Sequence, residues 1–419
     1  MSNRSSRRCH RWLDGREEAD AEAVMHIREI GAAGYRSLRG IRFPIGPLTV
    51  FVGANGVGKS NLYRALQLLQ ASAAGTLARE LAAEGGMESA LWAGPRRVGQ
   101  PARIKLSVEL TVGSDDTAQG ELAYDVQAGL AFSYHHEIGL PKITDAAFLL
   151  EPQVKQETLV LRGGRRPQTL LERSGPRATA LDDKGRKQPF GLQLLASETA
   201  LSAMRDAARF PEIDAVRRTM LDWRFYHDLR SDRGSPLRQP CLAVTTPTLS
   251  SDGADLAAVF ATLVHIREDT EDLDRAVDDA FPGARLVVPQ PGRTASFGLI
   301  FPDYPKRVFE AAELSDGTLR YLALAGALLG YRLPDFIALN EPEASLHPEL
   351  LAPLARMIAR AATRSQIWVV THSQVLAQAF AEHGGVTPRT VIKRNGETWL
   401  DGLRLAGDFA DEETDDEEV

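Results

Sequence analysis

The chain has 419 residues, 43% hydrophobic and 25% charged, with a formal net charge of −7. That is the composition of a globular protein long enough for two or three domains. Its two cysteines, Cys9 and Cys241, form no Cys-x-x-Cys pair, which excludes a disulfide framework and a cysteine zinc site. The basic N-terminus has no apolar signal-peptide core behind it, and the most apolar stretch, Tyr321 to Gly330, is too short to span a bilayer. The reading is of a cytoplasmic protein.

Charge is unevenly spread. Arg4, Arg7, Arg8, Arg11 and Arg16 crowd the head, and Asp408 to Val419 hold eight carboxylates and no base, so the remainder carries +1. Residues 1–24 read as a solvated basic leader, 406–419 as a solvated acidic tail, and Met25, where the globular pattern begins, as the native start.

Residues 26–52 read as two or three strands, the last being Leu48-Thr-Val-Phe-Val52. Gly53-Ala-Asn-Gly-Val-Gly-Lys-Ser60 follows, a complete G-x-x-x-x-G-K-S loop. Leu62, Ala65, Leu66 and Leu69 then recur at helical spacing. A glycine-rich turn alone would be weak. Strand, loop, Lys-Ser and helix together make a phosphate site. Gly53, Gly56 and Gly58 let the backbone approach an anion, and the helix start aims free N–H groups at it. Lys59 carries charge to the β- and γ-phosphates, and Ser60 offers a hydroxyl to Mg²⁺.

Residues 102–112 alternate, with Ile104, Leu106, Val108 and Leu110 on one face, and further strands are expected at 121–127, 130–136, 146–151 and 157–162. Residues 25–190 form the N-terminal lobe in this reading. A helical insertion, 191–284, is predicted from patterns at 193–208, 212–222, 254–267 and 270–280, around an irregular stretch from Tyr226 to Thr248. The C-terminal lobe, 285–405, is expected to hold strands at 285–289, 295–301, 307–313, 335–339 and 366–370, the later ones alternating with helices as in a parallel sheet.

Phe336-Ile-Ala-Leu-Asn340-Glu341 is a buried strand ending in polar side chains, and Ile367-Trp-Val-Val370 ends in Thr371-His372-Ser373. Ligands of parallel sheets sit at such strand ends. Glu341 is expected to polarise a water for attack on a γ-phosphate, and His372 to bond a γ-phosphate oxygen. Leu314-Ser-Asp-Gly-Thr318 opens a helix from Leu319 to Leu329, where Ser315 or Asp316 is expected to cap the helix and Ser315 with the N–H groups around Gly317 to form a second anion nest. His135 and His136 adjoin on a strand, so they face opposite ways and hold no metal between them.

As a set, these motifs resemble the ABC-type ATPase heads of the RecF/SMC/OLD-like group, and within it the compact stand-alone AAA-type ATPases. The resemblance covers roughly 25–125 and 285–405. Gly53 to Ser60 is similar to the Walker A loop, Leu314 to Thr318 to the signature motif, Ile337 to Pro348 to the Walker B strand and D-loop, and His372 to the switch histidine. Tyr35-Arg-Ser-Leu38 is similar to an N-terminal motif that sets a basic residue, here Arg36, near the nucleotide. Trp223 to Leu229 and Ser251-Asp-Gly253 resemble segments of the compact subgroup. The resemblance implies an α/β P-loop NTPase fold, with an antiparallel β subdomain and an inserted helical lid. It implies binding of ATP with Mg²⁺ through Gly53, Asn55, Gly56, Gly58, Lys59, Ser60, Asn61 and Arg36, and catalysis by Glu341, His372 and Lys59. It implies a head-to-tail homodimer in which Ser315 and Gly317 reach the partner's γ-phosphate, with Ala344 to His347 at the interface.

The chain departs from the pattern in three ways. Asn340 stands where Walker B has Asp, leaving Ser60 and Asn340 as the expected metal ligands without a negative charge between them. Gln100 lies near the expected Q-loop in a poor local context. The chain is not expected to be a nuclease itself, because the 47 residues after His372 lack the spaced acidic pattern of a TOPRIM domain. The expected function is an ATP-hydrolysing conformational switch associated with DNA in repair or phage defence. The alternative is an ATP-dependent clamp or regulator for a separate effector protein. DNA contact would fall to Arg217, Arg218, Arg224, Arg230, Arg233 and Arg238, unless these are a solvated, ion-paired face.

Overall fold

The computed structural model describes residues 25–96, 101–113, 130–141, 148–163, 166–189, 194–227 and 229–410. The expected leader, the strand at 121–127, Gln100 and residues 411–419 of the acidic tail lie outside these residues. In chain order, the strands that position the site are β1 (Met25–Tyr35), β2 (Leu38–Pro44), β3 (Leu48–Val52), β4 (Arg103–Val112), β5 (Ala131–Gly139), β6 (Gln153–Arg162), β7 (Phe336–Asn340), β8 (Gln366–Thr371), β9 (Arg389–Arg394) and β10 (Glu397–Leu400). The main helices are α1 (Lys59–Ala74), α2 (Pro211–Asp222), α3 (Leu256–Thr262), α4 (Glu271–Ala280), α5 (Asp316–Leu329), α6 (Leu351–Ala361) and α7 (Gln374–Gly384).

The chain divides into two compact units, one of Met1–Gly46, Ala54–Trp223 and Val391–Val419, the other of Pro47–Gly53 and Arg224–Thr390. The first unit carries an eight-stranded antiparallel sheet in the order β2-β1-β4-β5-β6, continued by Gln168–Ser174, Arg177–Leu181 and Lys187–Pro189. Its strands alternate as half-buried antiparallel strands do, and Ile104, Leu106, Val108 and Leu110 are all buried. His135 is partly exposed and His136 fully buried, on opposite faces of β5.

Two expectations fail here. Residues 148–151 form a bend and turn, not a strand, and leave Phe148 and Leu149 exposed. The helix expected over 193–208 shrinks to Ala200–Ala203. Buried Arg173 explains this, because its guanidinium takes the carbonyls of Leu195 and Glu198 and fixes the preceding segment as a turn. The buried Glu157 carboxylate then accepts from the N–H groups of Ala200 (2.6 Å) and Leu201 (2.8 Å) and starts the helix there.

In the second unit β3 is buried at every position, as a central parallel strand requires. The parallel sheet runs Arg224–Tyr226, β7, β8, β3 and then Arg389 and Thr390 of β9. Its core is shared with α3 to α7, and α5 is buried from Tyr321 to Leu329, matching the apolar run over those residues. The strand expected at 307–313 is instead the two-residue Phe309–Glu310 followed by a 3₁₀ turn, Ala311–Glu313.

Candidate functional site

In the first unit, the phosphate loop is held by a strap of hydroxyls. Asn61 Nδ2 donates to Ser37 Oγ at 2.6 Å, and Ser37 Oγ lies 2.6 Å from Thr398 Oγ1. Thr398 Oγ1 donates to the Val57 carbonyl at 2.8 Å, and the Thr398 N–H donates to the Ser37 carbonyl at 2.9 Å. Gly58 sits inside this strap at φ 101°, where an added Cβ would stand 1.9 Å from Thr398 Oγ1 and 2.6 Å from Ser37 Oγ. Only glycine meets both the left-handed backbone and the close approach. α1 begins at Lys59 with no side-chain cap and no acidic residue in its first turn, so its positive end is uncompensated. Lys59 is buried, its Nζ 2.8 Å from the Ala54 carbonyl, while Asn55, Gly56 and Ser60 are exposed.

Arg36 takes a left-handed conformation (φ 47°) and pairs with Glu84 at 2.8 Å, and Glu84 also accepts from the Tyr35 hydroxyl at 2.8 Å. Burial, aided by Glu84, pushes the Tyr35 hydroxyl pKa upward and keeps it a donor. Beside Arg36 and Ser37 lies an open cavity of about 450 Å³, also lined by Trp92, Asn395 and Gly396.

In the second unit, strand register sets the candidate edge. Asn340 of β7 pairs with Val370 of β8, and Thr371 of β8 pairs with Val52 of β3. Glu341, His372 and Gly53 therefore follow the C-terminal ends of three neighbouring strands, where α/β sheets place ligands. Glu341 is left-handed (φ 49°), a conformation costly for a non-glycine residue. It is pinned at both ends. Its N–H donates to the Val370 carbonyl at 2.7 Å, and its carbonyl accepts from Arg320 Nη2 at 3.3 Å and from the Ala344 N–H at 3.1 Å. Its side chain is 38% exposed, and Oε1 lies 3.7 Å from His372 Nδ1.

Asn340 Oδ1 is buried and has no hydrogen-bond partner, as is Glu343 Oε2. A buried acceptor that meets no donor suits an oxygen-seeking cation, so Asn340 fits the expected role of Mg²⁺ ligand. Ser315 caps α5, its Oγ accepting from the Thr318 N–H at 3.1 Å, and it remains exposed. An added Cβ at Gly317 would stand 2.9 Å from the Ser345 carbonyl of the D-loop segment.

Sequence reading missed Thr398 and Glu343 and offered Arg238 only as a DNA contact. Thr398 and Arg238 stand outside any motif, and no local pattern could mark the contacts they make here. Glu343 lies inside the Walker B segment and was passed over. The arginine group is also redrawn. Arg217 and Arg218 pair with Asp214, Arg230 with Asp232, and Arg238 with Asp316, so four of the six are engaged in ion pairs.

Residues 48–377 match the family model described as "AAA domain, putative AbiEii toxin, Type IV TA system", well over half of the chain. The chain belongs to this AAA-domain family. Among curated proteins no sequence matches. Of solved structures, an SMC head bound to the C-winged helix domain of ScpA matches at TM-score 0.49 and 17% identity, over 91% of this chain and 99% of that one. The SMC head domain from Thermotoga maritima gives 0.46 and 13%, over 91% and 100%. An Smc head from Pyrococcus furiosus, bound to the C-terminal domain of ScpA, gives 0.48 and 14%, over 91% and 97%. This AAA domain is a mixed α/β fold with an antiparallel and a parallel sheet. No helix among the described residues is long and apolar enough to cross a membrane.

Proposed function

We propose that the chain is an ATP-binding and ATP-hydrolysing conformational switch that closes as a nucleotide-sandwich homodimer. What carries the reading is Glu341, fixed in a left-handed conformation at the end of β7 with a half-exposed carboxylate beside His372. A pinned backbone under a part-exposed carboxylate is the arrangement a general base needs.

The backbone N–H groups of Gly53 to Ser60 and the start of α1 bind the phosphates, with Asn61 and Ser37 bracing the loop. Lys59 exchanges the Ala54 carbonyl for phosphate oxygens. Arg36, held by Glu84, flanks the nucleotide. Ser60 and Asn340 are the oxygen donors that would hold a nucleotide-bound Mg²⁺, which would neutralise phosphate charge. Glu341 orients the attacking water and accepts its proton, and His372 donates to the γ-phosphate. Exposed Ser315 and part-exposed Gly317 serve the partner's nucleotide. A Glu341→Gln protein should accumulate as an ATP-bound dimer in light scattering. One that stays monomeric with ATP removes the sandwich.

DNA association, in repair or phage defence, is one setting for this switch. Regulation of a separate effector protein is the other, and the ion-paired arginines favour it. Steady-state ATP hydrolysis with and without duplex DNA at low salt separates the two. Stimulation assigns the switch to nucleic acid, and indifference assigns it to a protein partner.

A further inference from the structure

Asn340 brings an amide to the position where a cation carrying triphosphate calls for negative charge. Three residues on, Glu343 is 7% exposed. Its Oε1 accepts from Thr371 Oγ1 at 2.5 Å and from the His372 N–H at 3.1 Å, so the carboxylate is fixed against the end of β8. Those bonds leave Oε2 buried with no donor, and Asn340 Oδ1 is in the same condition. Two buried acceptors without donors, one at the end of β7 and one three residues beyond it, are expensive unless something positive meets them. Thr371, which orients Glu343, pairs in register with Val52, directly before Gly53 begins the phosphate loop.

We propose that Glu343 is the carboxylate that serves the nucleotide-bound divalent cation, in place of the acid absent at 340. This rests on the ATP-binding reading above. Among the described residues no three His, Cys, Asp or Glu converge to hold a metal unaided. That suits Mg²⁺, which takes one or two protein oxygens and completes its shell with phosphate and water. Glu343 would act directly or through one coordinated water, with Asn340 as the neutral second acceptor.

The test uses the full chain with Mn²⁺ as probe, read by the loss of the free-ion paramagnetic resonance signal in the presence of a non-hydrolysable ATP analogue. Fluorescent nucleotide binding in EDTA is measured in parallel. Glu343→Gln keeps an oxygen for Thr371 and His372 and removes only the charge. It should weaken Mn²⁺ uptake by about tenfold or more while metal-free nucleotide binding stays within about twofold. Adding Asn340→Asp to that variant should restore uptake. Unchanged Mn²⁺ affinity in Glu343→Gln overturns the proposal and leaves Glu343 an anchor for His372. If Glu343→Gln does not fold, Asn340→Asp alone reads the same cation. It should tighten uptake at least about threefold, and no gain overturns the proposal. Failure of the parent chain to bind nucleotide at all would instead remove the ATP reading beneath it.

Discussion

Arg238 Nη1 donates to the Leu314 carbonyl at 2.7 Å, one residue before Ser315 opens α5. The same guanidinium reaches the Ala312 carbonyl at 3.1 Å and the Asp316 carboxylate, and its Nε donates to the Ser231 carbonyl at 2.8 Å. An arginine from the irregular middle segment thus sets the shape of the signature loop. Its side chain is only 10% exposed, so these are charge-assisted bonds largely shielded from water. Arg238→Met should cost about 2 kcal/mol of stability in the second unit. It should also lower ATP turnover while nucleotide affinity of the monomer is unchanged. Equal losses in both would show that the signature loop is not the element affected.

Gly58→Ala places a methyl where Thr398 Oγ1 and Ser37 Oγ already stand, at φ 101°. The strap must open or the loop must move. Nucleotide affinity should fall by at least about tenfold, the equivalent of roughly 1.4 kcal/mol. Thr398→Val, which breaks the bonds to Ser37 and Val57 without adding bulk, should give a smaller loss in the same titration.

Lys59→Ala and Glu341→Gln should separate binding from turnover. Lys59→Ala loses productive nucleotide binding, because no other side chain in the 53–60 loop carries positive charge. Glu341→Gln keeps binding and loses turnover by about 10² or more. Calorimetric binding and phosphate release, measured on both, check the pair.

His136 makes acid stability testable. Burial, with a small push from His135, holds its imidazole down to about 3, against 6.5 in the unfolded chain. Between those values the unfolded state binds a proton that the folded state refuses, so stability rises with pH and is lost as pH falls. The slope from this one group is at most about 1.4 kcal/mol per pH unit. Burial shifts Glu157, its register partner on β6, upward, which acts in the opposite sense. His136→Leu isolates the imidazole, and its urea midpoint should fall less steeply below pH 6.5 than the parent's. Parallel slopes would mean the ring is protonated in the fold.

Much of the fold was legible in the sequence, because long apolar runs and strict alternation leave few choices. The all-buried β3, the alternating β4 and the apolar α5 follow from their own residues. The 193–208 segment was misread because its carbonyls and N–H groups are claimed by Arg173 and Glu157, distant residues that no local pattern signals. The strands at 168–189 were missed because their mixed polar pattern looks like turns until β6 offers a pairing edge. In the site, Glu341 and His372 were readable as polar residues closing buried strands. Glu343 was not, since its significance lies in an unpaired oxygen and not in its spacing.

The hydroxyl strap also bears on how the protein is made. Ser37 and Val57 meet Thr398 across 361 and 341 residues of chain. The Gly53 to Ser60 motif is therefore translated well before Thr398, the residue that braces it. Until Thr398 has been added, a nascent chain carries the nucleotide-binding sequence without the contact that holds its loop, so bracing the loop waits on a long-range contact.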